Sequence, residues 1–412
     1  MDKNILQQII LDQRGSFEKQ KKVVLRKFPE DLIRNKKITV ISGVRRSGKS
    51  TLLKELAARY ENYYYFNFED ERLLDFSAAD FNVLYELFLS MYGEQKTIFF
   101  DEIQNIFGWE KFVRRLFEEG YKIFVTGSNA KLLSSELATS LTGRYLKIEL
   151  FPFSFGEYLV FNGFLPKKVY TTNEKAKLVN YLKKYFDYGG FPEVVLSQSE
   201  EELKQLYQDI LIKDLIVRFK IKDGKSFREL ALFLLSNSGT KISYNNLKKI
   251  LNFKSVTTVK KYVELLESAY LNFTISKFDY SLKKQIVNDK KVYSIDTGLI
   301  SHVAFSFSEN RGRVLENNVF LELKRRDEEV YYDFGKKEVD FLLKKGRIIT
   351  MAIQVTTELN KENRERELAG LTEAMQKYDL KEGFVITMDQ EENIKNKTGV
   401  IRIIPVWKWL LV

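Results

Sequence analysis

Between residues 37 and 150, short runs of consecutive apolar residues alternate with longer segments whose apolar residues recur every three or four positions. The short runs predict buried strands, and the longer segments predict amphipathic helices. We expect strands at 38–42, 63–68, 97–101, 123–126 and 145–150, and helices directly after Ser50, at 81–92 and at 109–118. Strands that alternate with helices favour a parallel sheet covered on both faces, with functional residues at the carboxyl ends of its strands.

The pattern differs on either side of this region. Upstream, two apolar groups predict an amphipathic helical lead-in that packs on the first domain: Ile5, Ile9 and Ile10, then Val23, Val24 and Leu25. From residue 226 we expect three short helices at 227–236, 244–251 and 256–268, a strand at 271–277, a basic turn at 281–284 and a strand at 291–295. Ser255 is the expected N-cap of the third helix. Three helices followed by a β-wing form a winged helix.

The last segment, from about residue 312, changes pattern again. It predicts a helix at 313–326, strands at 330–334, 338–343 and 348–356, a helix at 364–378 and a strand at 383–388. This order of elements indicates a further α/β domain.

The loop after the first predicted strand reads Gly43-Val44-Arg45-Arg46-Ser47-Gly48-Lys49-Ser50, and Thr51 continues into the predicted helix. This is the G-x-x-x-x-G-K-[ST] phosphate-binding loop in its strand–loop–helix setting. The glycines let backbone N–H groups curl around a polyphosphate, and the helix N-terminus turns its positive end toward the same anion. We expect Lys49 to reach the β- and γ-phosphates of ATP and Ser50 to ligate Mg²⁺. The candidate nucleotide-binding residues are Gly43, Val44, Arg45, Arg46, Ser47, Gly48, Lys49, Ser50 and Thr51.

Two other predicted strands end in polar residues. The apolar strand at 97–101 ends in Asp101, and Glu102 follows it. Because burial of an uncompensated charge is costly, this pair needs partners, which Mg²⁺ provides for Asp101 and the attacking water for Glu102. The alternative is that the two acids cap the following helix. After the strand at 123–126, Ser128 or Asn129 is a candidate to contact the γ-phosphate or the attacking water, or else caps a helix.

Composition narrows the chemistry. The chain has 412 residues, enough for two or three domains, with one histidine and no cysteine. Disulfides and thiolate metal sites are therefore excluded, and a zinc site or a histidine-based triad is disfavoured. The amino terminus lacks a signal pattern, and no stretch approaches the roughly 18 consecutive apolar residues of a membrane helix. We therefore expect a soluble, cytoplasmic protein with no membrane partner.

The positive charge is concentrated in one segment. The whole chain carries a net charge of +11, and residues 241–291 contain eleven lysines against four acids. A generic solvated surface would be of mixed sign, so we expect the winged helix to bind double-stranded DNA. The alternative is a winged helix that only packs against its neighbours. The candidate DNA-contacting residues are Lys254, Thr257, Thr258, Lys260, Lys261, Lys283 and Lys284.

Five motifs taken together resemble one family. They are the phosphate loop, Asp101-Glu102-Ile103-Gln104, Thr126-Gly127-Ser128, Gly143-Arg144-Tyr145 and Pro152-Phe153-Ser154-Phe155. In this order they resemble a group of archaeal and bacterial AAA-superfamily ATPases with a winged helix and a C-terminal restriction-endonuclease-like domain of unknown function. The resemblance covers nearly the whole chain and implies an α/β, AAA-type P-loop core with strand order 5-1-4-3-2. It implies a core at 1–156, a helical lid at 157–222, a winged helix at 223–300 and a PD-(D/E)XK-like α/β domain at 301–412.

The same resemblance adds two candidate residues. Arg144 stands where members of the superfamily often place an arginine finger, which acts on the γ-phosphate bound by a neighbouring subunit and implies a homo-oligomer. A surface arginine paired with an acid is the alternative. Pro192, in Tyr188-Gly189-Gly190-Phe191-Pro192, resembles the turn with which some AAA lineages contact the nucleotide from the lid.

The C-terminal segment resembles the PD-(D/E)XK nuclease core. Glu316, Asp340 and Gln354 fall on its motif positions and suit a hard cation. Gln354 and Thr356 stand in place of the usual Glu-x-Lys, so the lysine that assists cleavage is missing. Three lysines are candidates to supply it from another position: Lys336, Lys337 and Lys344. We expect weak binding of Mg²⁺ or Mn²⁺ and no cleavage of DNA.

For the whole chain, these observations favour a Mg²⁺-dependent ATPase that couples ATP hydrolysis to DNA binding. Two alternatives stay open: a slow nucleotide-gated switch that controls a partner, and an ATP-regulated nuclease.

Overall fold

A computed structural model describes residues 1–18, 26, 34–128, 141–305, 311–335 and 337–411. The chain divides into two compact units. Unit 1 comprises Met1–Leu150 and Ser268–Tyr270, and unit 2 comprises Phe151–Glu267 and Leu271–Val412. The first helix, α1 (Lys3–Glu18), buries Ile9 and Ile10 as predicted. Ile5 was also predicted to pack but is 51% exposed, and Leu6 is buried instead. The predicted Val23, Val24 and Leu25 lie outside the described residues.

Unit 1 is built on a five-stranded parallel sheet. Its strands are β1 (Ile38–Ser42), β2 (Tyr64–Asn67), β3 (Thr97–Asp101), β4 (Lys122–Gly127) and β5 (Tyr145–Glu149). They are ordered β2-β3-β4-β1-β5, with parallel pairing throughout. This is the predicted AAA-type order, 5-1-4-3-2, read from the opposite edge.

Three further helices cover this sheet: α2 (Lys49–Ala57), α3 (Phe81–Tyr92) and α4 (Trp109–Glu118). Successive residues of β3 point to opposite faces, as the pleat of a strand requires. Ile98 and Phe100 pack in one core with residues of α3 and α4, whereas Phe99 packs in a second core with residues of α2. The apolar run therefore has no polar face, because both of its faces are covered.

Unit 2 begins with helices. They are α5 (Phe155–Phe161), α6 (Thr172–Tyr188), α7 (Pro192–Ser197) and α8 (Glu200–Asp209), followed by a π-helix (Ile210–Val217). The segment predicted as three helices and a β-wing contains α9 (Gly224–Ser236), β6 (Lys241–Ile242), α10 (Tyr244–Ile250), α11 (Val256–Ser268), β7 (Asn272–Ser276), α12 (Leu282–Val287) and β8 (Lys290–Ser294). The strands pair antiparallel in the order β6-β8-β7.

Two local predictions in this region have different outcomes. Ser255 caps α11 as expected, since its hydroxyl accepts the Thr258 N–H at 3.1 Å. The predicted basic turn at 281–284 is wrong, because Leu282–Val287 is the helix α12. The segment contains no glycine or proline, and its leucine, lysines and glutamine are strong helix formers.

The C-terminal part of unit 2 contains a six-stranded mixed sheet. Its elements are α13 (Thr297–His302), α14 (Arg311–Arg325), β9 (Glu329–Phe334), β10 (Glu338–Lys345), β11 (Ile348–Val355), α15 (Arg364–Lys377), β12 (Glu382–Thr387), β13 (Glu392–Lys395), β14 (Val400–Pro405) and α16 (Val406–Trp409). The strands are ordered β13-β14-β12-β11-β10-β9. The chain beyond β7 joins this sheet, since the Phe278 N–H donates to the Tyr332 carbonyl on β9 at 2.8 Å.

Candidate functional site

The phosphate loop lies between β1 and α2 in unit 1. A Cβ atom at Gly43 would lie 2.2 Å from the Leu150 carbonyl oxygen, and Gly48 has a φ of 96°, so both positions require glycine. No side chain among the described residues caps the first turn of α2. The N–H groups of that turn are therefore open to an anion, as in other phosphate loops.

Lys49 and Ser50 begin α2 and face the strand ends. Lys49 is 4% exposed, and its Nζ donates to the Val44 carbonyl at 3.2 Å and lies 3.2 Å from Glu102 Oε1. Ser50 is exposed, whereas Ser47 Oγ is buried without a hydrogen-bond partner in the described structure. A tight backbone turn, an uncapped helix and an unpartnered hydroxyl together fit a polyphosphate ligand.

Asp101 ends β3 beside the phosphate loop, as the sequence predicts. Its carboxylate is 1% exposed and accepts hydrogen bonds from the hydroxyls of Thr126 and Ser50. Burial, followed by the negative charge of Glu102, raises the pKa of Asp101 to about 6. Because Ser50 and Asp101 are hydrogen-bonded to each other, the two predicted Mg²⁺ ligands are adjacent. An oxygen donor set beside a phosphate loop fits Mg²⁺.

Glu102 follows β3 in the left-handed conformation, with a φ of 50°. Its N–H donates to Thr126 Oγ1 at 2.9 Å, and its Oε2 accepts Gln104 Nε2 at 2.5 Å. Burial opposes ionisation of this carboxyl, but the Lys49 ammonium and the Gln104 amide outweigh it and hold the pKa of Glu102 below its usual value. Glu102 is therefore a charged acceptor that suits the orientation of a water molecule.

Sequence reasoning missed Thr126 as a positioning residue. Its hydroxyl donates to Asp101 and accepts from the Glu102 backbone, so one side chain on β4 fixes both acids at the end of β3. The signal was present, because Thr126 ends a strand predicted to lie in the same parallel sheet. Ser128 is buried just beyond it, and Asn129 lies outside the described residues.

Arg144 lies on the surface of unit 1. Its Nη2 is 3.7 Å from Glu118 Oε1, and its side chain is 37% exposed. This contact matches the alternative interpretation, a surface arginine paired with an acid. A role on a neighbouring subunit stays a prediction.

Pro192 is the first residue of α7, in unit 2. The glycines before it have a packing role there, because a Cβ at Gly189 would lie 1.8 Å from Asp296 Oδ1. Gly190 donates its N–H to Asp296 Oδ2 at 2.7 Å and accepts the Phe153 N–H at 2.7 Å. Burial raises the pKa of Asp296 to about 7. Contact between Pro192 and a nucleotide stays a prediction.

The predicted DNA-contacting residues lie on α11, on α12 and in the loop before α11. The exposed ones are Lys254, Thr257, Lys260, Lys261, Lys283 and Lys284. Thr258 is half-buried and its hydroxyl lies 2.9 Å from Ser255 Oγ, so it is engaged in capping the helix. The cluster of eleven lysines is less exposed than its sequence suggests, since Lys290 donates to the Gln285 carbonyl at 2.5 Å and Lys291 is 3% exposed.

Glu316, Asp340 and Gln354 come together in unit 2 as predicted, but around an ammonium group. Lys291, on β8, places its Nζ 2.6 Å from Glu316 Oε1, 2.9 Å from Asp340 Oδ1 and 3.1 Å from Glu338 Oε1. Although burial disfavours the charged lysine, Asp340 and the other acids raise the pKa of Lys291 well above its usual value. Lys291 is therefore a permanent cation at the centre of this cluster.

A lysine thus lies beside these acids at a position that sequence reasoning did not consider, and it is ion-paired with them. Lys344 Nζ instead pairs with Glu329 at 2.7 Å, Lys337 lines a pocket that these acids also line, and Lys336 lies outside the described residues. Within the described ranges, no group of three or more histidine or acidic side chains is arranged to hold a metal ion. The metal site predicted at Glu316, Asp340 and Gln354 stays a prediction, and in the described structure its two acids pair with Lys291.

In the part of the chain that the structure describes, no helix has the length and apolar content needed to cross a membrane.

Sheet order, phosphate loop and paired acids define an AAA-type P-loop protein, and comparison with known proteins agrees. A family model described as an AAA domain matches residues 35–159, and a second, described as a domain of unknown function, matches residues 179–310. An uncharacterised protein of Methanocaldococcus jannaschii is 40% identical over 433 residues, covering 100% of this chain and 96% of that protein. An uncharacterised protein of Haemophilus influenzae is 36% identical over 352 residues, covering 80% of this chain and 85% of that protein. The chain belongs to the family of AAA-domain proteins that these relatives represent.

Two solved structures show only a general likeness to this chain. The ORC2 protein of Aeropyrum pernix in its ADP form is 12% identical with a TM-score of 0.35, covering 63% of this chain and 90% of that one. AMPPCP-bound DnaA from Aquifex aeolicus is 16% identical with a TM-score of 0.25, covering 58% of this chain and 84% of that chain. At such TM-scores the assignment rests on the family model, the sheet order and the loop geometry.

Proposed function

We propose that the protein binds ATP and hydrolyses it in a Mg²⁺-dependent reaction. The observation that supports this most directly is the contact of 3.2 Å between Lys49 and Glu102, beside an Asp101 that is hydrogen-bonded to Ser50. A phosphate-binding lysine, a metal-binding pair and a charged acceptor thus lie at one sheet edge. These are the parts that phosphoryl transfer to water requires.

In this proposal the loop N–H groups and Lys49 hold the β- and γ-phosphates. Ser50 and Asp101 hold Mg²⁺, which neutralises charge on the phosphate oxygens when it is bound. Glu102, kept ionised by Lys49 and Gln104, orients the attacking water and accepts its proton.

Two substitutions separate binding from chemistry. Glu102→Gln should keep ATP bound while turnover falls about 100-fold or more, because only the proton acceptor is lost. Lys49→Ala should weaken ATP binding itself. Titration with a fluorescent ATP analogue and a phosphate-release assay measure the two effects. Turnover at the wild-type rate in Glu102→Gln would contradict the role given to this acid.

We further propose that α9, α10, α11 and the wing form a winged helix that binds double-stranded DNA, and that ATP turnover is coupled to it in the cytoplasm. The support is the exposed row of Lys254, Lys260 and Lys261 at α11. The boundaries of the lid and the winged helix stay predictions.

For the C-terminal part, we propose a restriction-endonuclease-like core made of α14, β9 to β12 and α15. The order of helix, three antiparallel strands, helix and parallel strand supports this assignment. DNA cleavage is not expected, because Lys291 fills the position between the acids that a catalytic metal would need.

A further inference from the structure

An open pocket of about 530 Å³ lies above the Lys291 cluster in unit 2. Acids line its floor, and the basic side chains of Lys241, Arg313, Lys337 and Arg366 also line it. Five basic side chains line the pocket when Lys291 is included, and four acidic side chains line it: Glu316, Glu338, Asp340 and Glu367. The pocket as a whole thus suits a ligand that carries a single negative charge.

The floor of the pocket is complete without a metal ion. Lys291 has three N–H donors, and three carboxylates lie within 3.1 Å of its nitrogen. The second oxygen of Asp340 accepts the Val355 N–H at 2.9 Å, and Glu338 Oε2 lies 2.8 Å from Lys241 Nζ. Oxygen atoms already engaged in this way are poor ligands for a divalent cation, which would have to displace a buried ammonium.

One buried group on the floor lacks a partner. Gln354 is 6% exposed and lines the pocket, and its Nε2 donates to Glu367 Oε2 at 2.7 Å. Its Oε1 is buried and has no hydrogen-bond partner in the described structure. A buried carbonyl of this kind costs free energy unless a ligand donates to it. The ligand should therefore present a hydroxyl or amino group to the floor and a negative charge to the basic residues.

We propose that this pocket binds one unpaired nucleotide of a DNA strand without a divalent metal. The phosphodiester contacts Arg313 and Lys337, and an amino or ring N–H group of the base donates to Gln354. A volume of about 530 Å³ is in the range of small-ligand sites and is too small for a duplex. The inference extends the proposed DNA binding but uses a different surface from α11.

Fluorescence anisotropy in EDTA tests the proposal with a blunt duplex and with the same duplex carrying an unpaired tail. Wild type should bind the tailed duplex more tightly. Arg313→Ala with Lys337→Ala should abolish this preference and reduce the salt slope for the tailed duplex by about 1.4, roughly 0.7 for each contact to a single strand. The control replaces Lys345 and Arg347, two exposed cations near the turn between β10 and β11.

Three results would overturn the proposal: no preference for the tail, a preference that needs Mg²⁺, or a preference that survives the Arg313 and Lys337 substitutions. Dependence on Mg²⁺ would instead indicate a metal site. The same assay distinguishes this proposal from the duplex binding proposed for α11. A protein that binds the tailed duplex but not the blunt one would support the pocket and contradict the function proposed for α11.

Discussion

The pKa values of Asp101 and Glu102, two adjacent acids at the end of β3, are shifted in opposite directions. Burial raises the pKa of Asp101 to about 6, whereas Lys49 and Gln104 hold the pKa of Glu102 below its usual value. The difference arises because Glu102 faces an ammonium group at 3.2 Å. Asp101 is thus the acid that gains most from a bound cation, and Glu102 is the acid that stays ionised without one.

Thr126→Val tests whether these two acids are positioned from β4. Valine keeps the shape of threonine but removes the hydroxyl that serves Asp101 and the Glu102 backbone. A hydrogen bond to a charged group contributes about 1.5–3 kcal/mol, so we expect turnover to fall roughly 10- to 100-fold with ATP affinity retained. Steady-state ATPase kinetics and nucleotide titration measure this.

Thr97→Val is the matched control, because Thr97 is a buried threonine at the other end of β3. Equal losses of turnover in the two variants would show a general effect on the sheet and would contradict a specific role for Thr126.

The pH dependence of folding stability provides a test of the Lys291 cluster, because Glu316 belongs to this cluster and has a shifted pKa. Burial, followed by the charge of Asp340, raises the pKa of Glu316 from its ordinary value of 4.5 to about 7. The folded chain therefore holds a proton here that the unfolded chain releases between these values. The stability that Glu316 contributes is present below about pH 4.5 and is lost as pH rises through about 7.

The Glu316→Gln variant cannot titrate at this position. Urea unfolding across this pH range should show wild type losing stability relative to the variant as pH rises. Glu365→Gln, at an exposed acid of α15, is the control. A constant difference between wild type and Glu316→Gln would mean that the pKa of Glu316 is the same in the folded and unfolded chains.

The two clusters differ in how far the sequence predicts them. Lys49, Ser50, Asp101 and Glu102 come together because parallel strands present their carboxyl ends at one edge, which a motif on each strand reveals. Lys291 belongs to a segment predicted as part of a wing, and its partners lie on α14 and β10. No local pattern records a contact between elements of two predicted domains, so this lysine was found only in the structure.

At the scale of elements, strong apolar patterns fix both type and position. Five predicted elements, at 38–42, 97–101, 81–92, 109–118 and 256–268, have the bounds of β1, β3, α3, α4 and α11. Two strands near the C-terminal end were not predicted. β13 (Glu392–Lys395) is mostly exposed and polar and pairs only at the edge of its sheet, so it has no buried face to produce a pattern. β14 (Val400–Pro405) does bury alternate residues, so its pattern was present in the sequence and was overlooked.

The prediction at the scale of elements concerns the exposed lysines of α11 and the salt dependence of duplex binding. Changing Lys260 and Lys261 to alanine should reduce the log–log salt slope of binding to a blunt duplex by about 2, roughly 0.9 for each phosphate that is no longer neutralised. Lys177 and Lys183, exposed on α6, are the control pair. An unchanged slope would leave α11 as a packing element, which is the alternative that the sequence left open.

For the whole molecule, the net charge of +11 is a poor guide to the partner surface. Lys241 and Lys291 form ion pairs inside unit 2, and Lys290 is hydrogen-bonded within the wing. In the segment 241–291, exposed lysines outside these contacts include those of α11 and α12. Two separate basic surfaces are consistent with a DNA partner that has both paired and unpaired parts.

Whether ATP turnover requires a second subunit is the remaining question at this scale. If Arg144 acts on a neighbour's γ-phosphate, turnover per mole of wild type should rise with protein concentration, and Arg144→Ala should lower turnover by orders of magnitude while ATP affinity stays near normal. Arg114→Ala is the matched control, because Arg114 also pairs with Glu118, at 2.9 Å, and its side chain is exposed. ATPase assays over a dilution series, with mass measured by light scattering, decide the matter. Turnover per mole that is independent of concentration would leave Arg144 as the surface partner of Glu118.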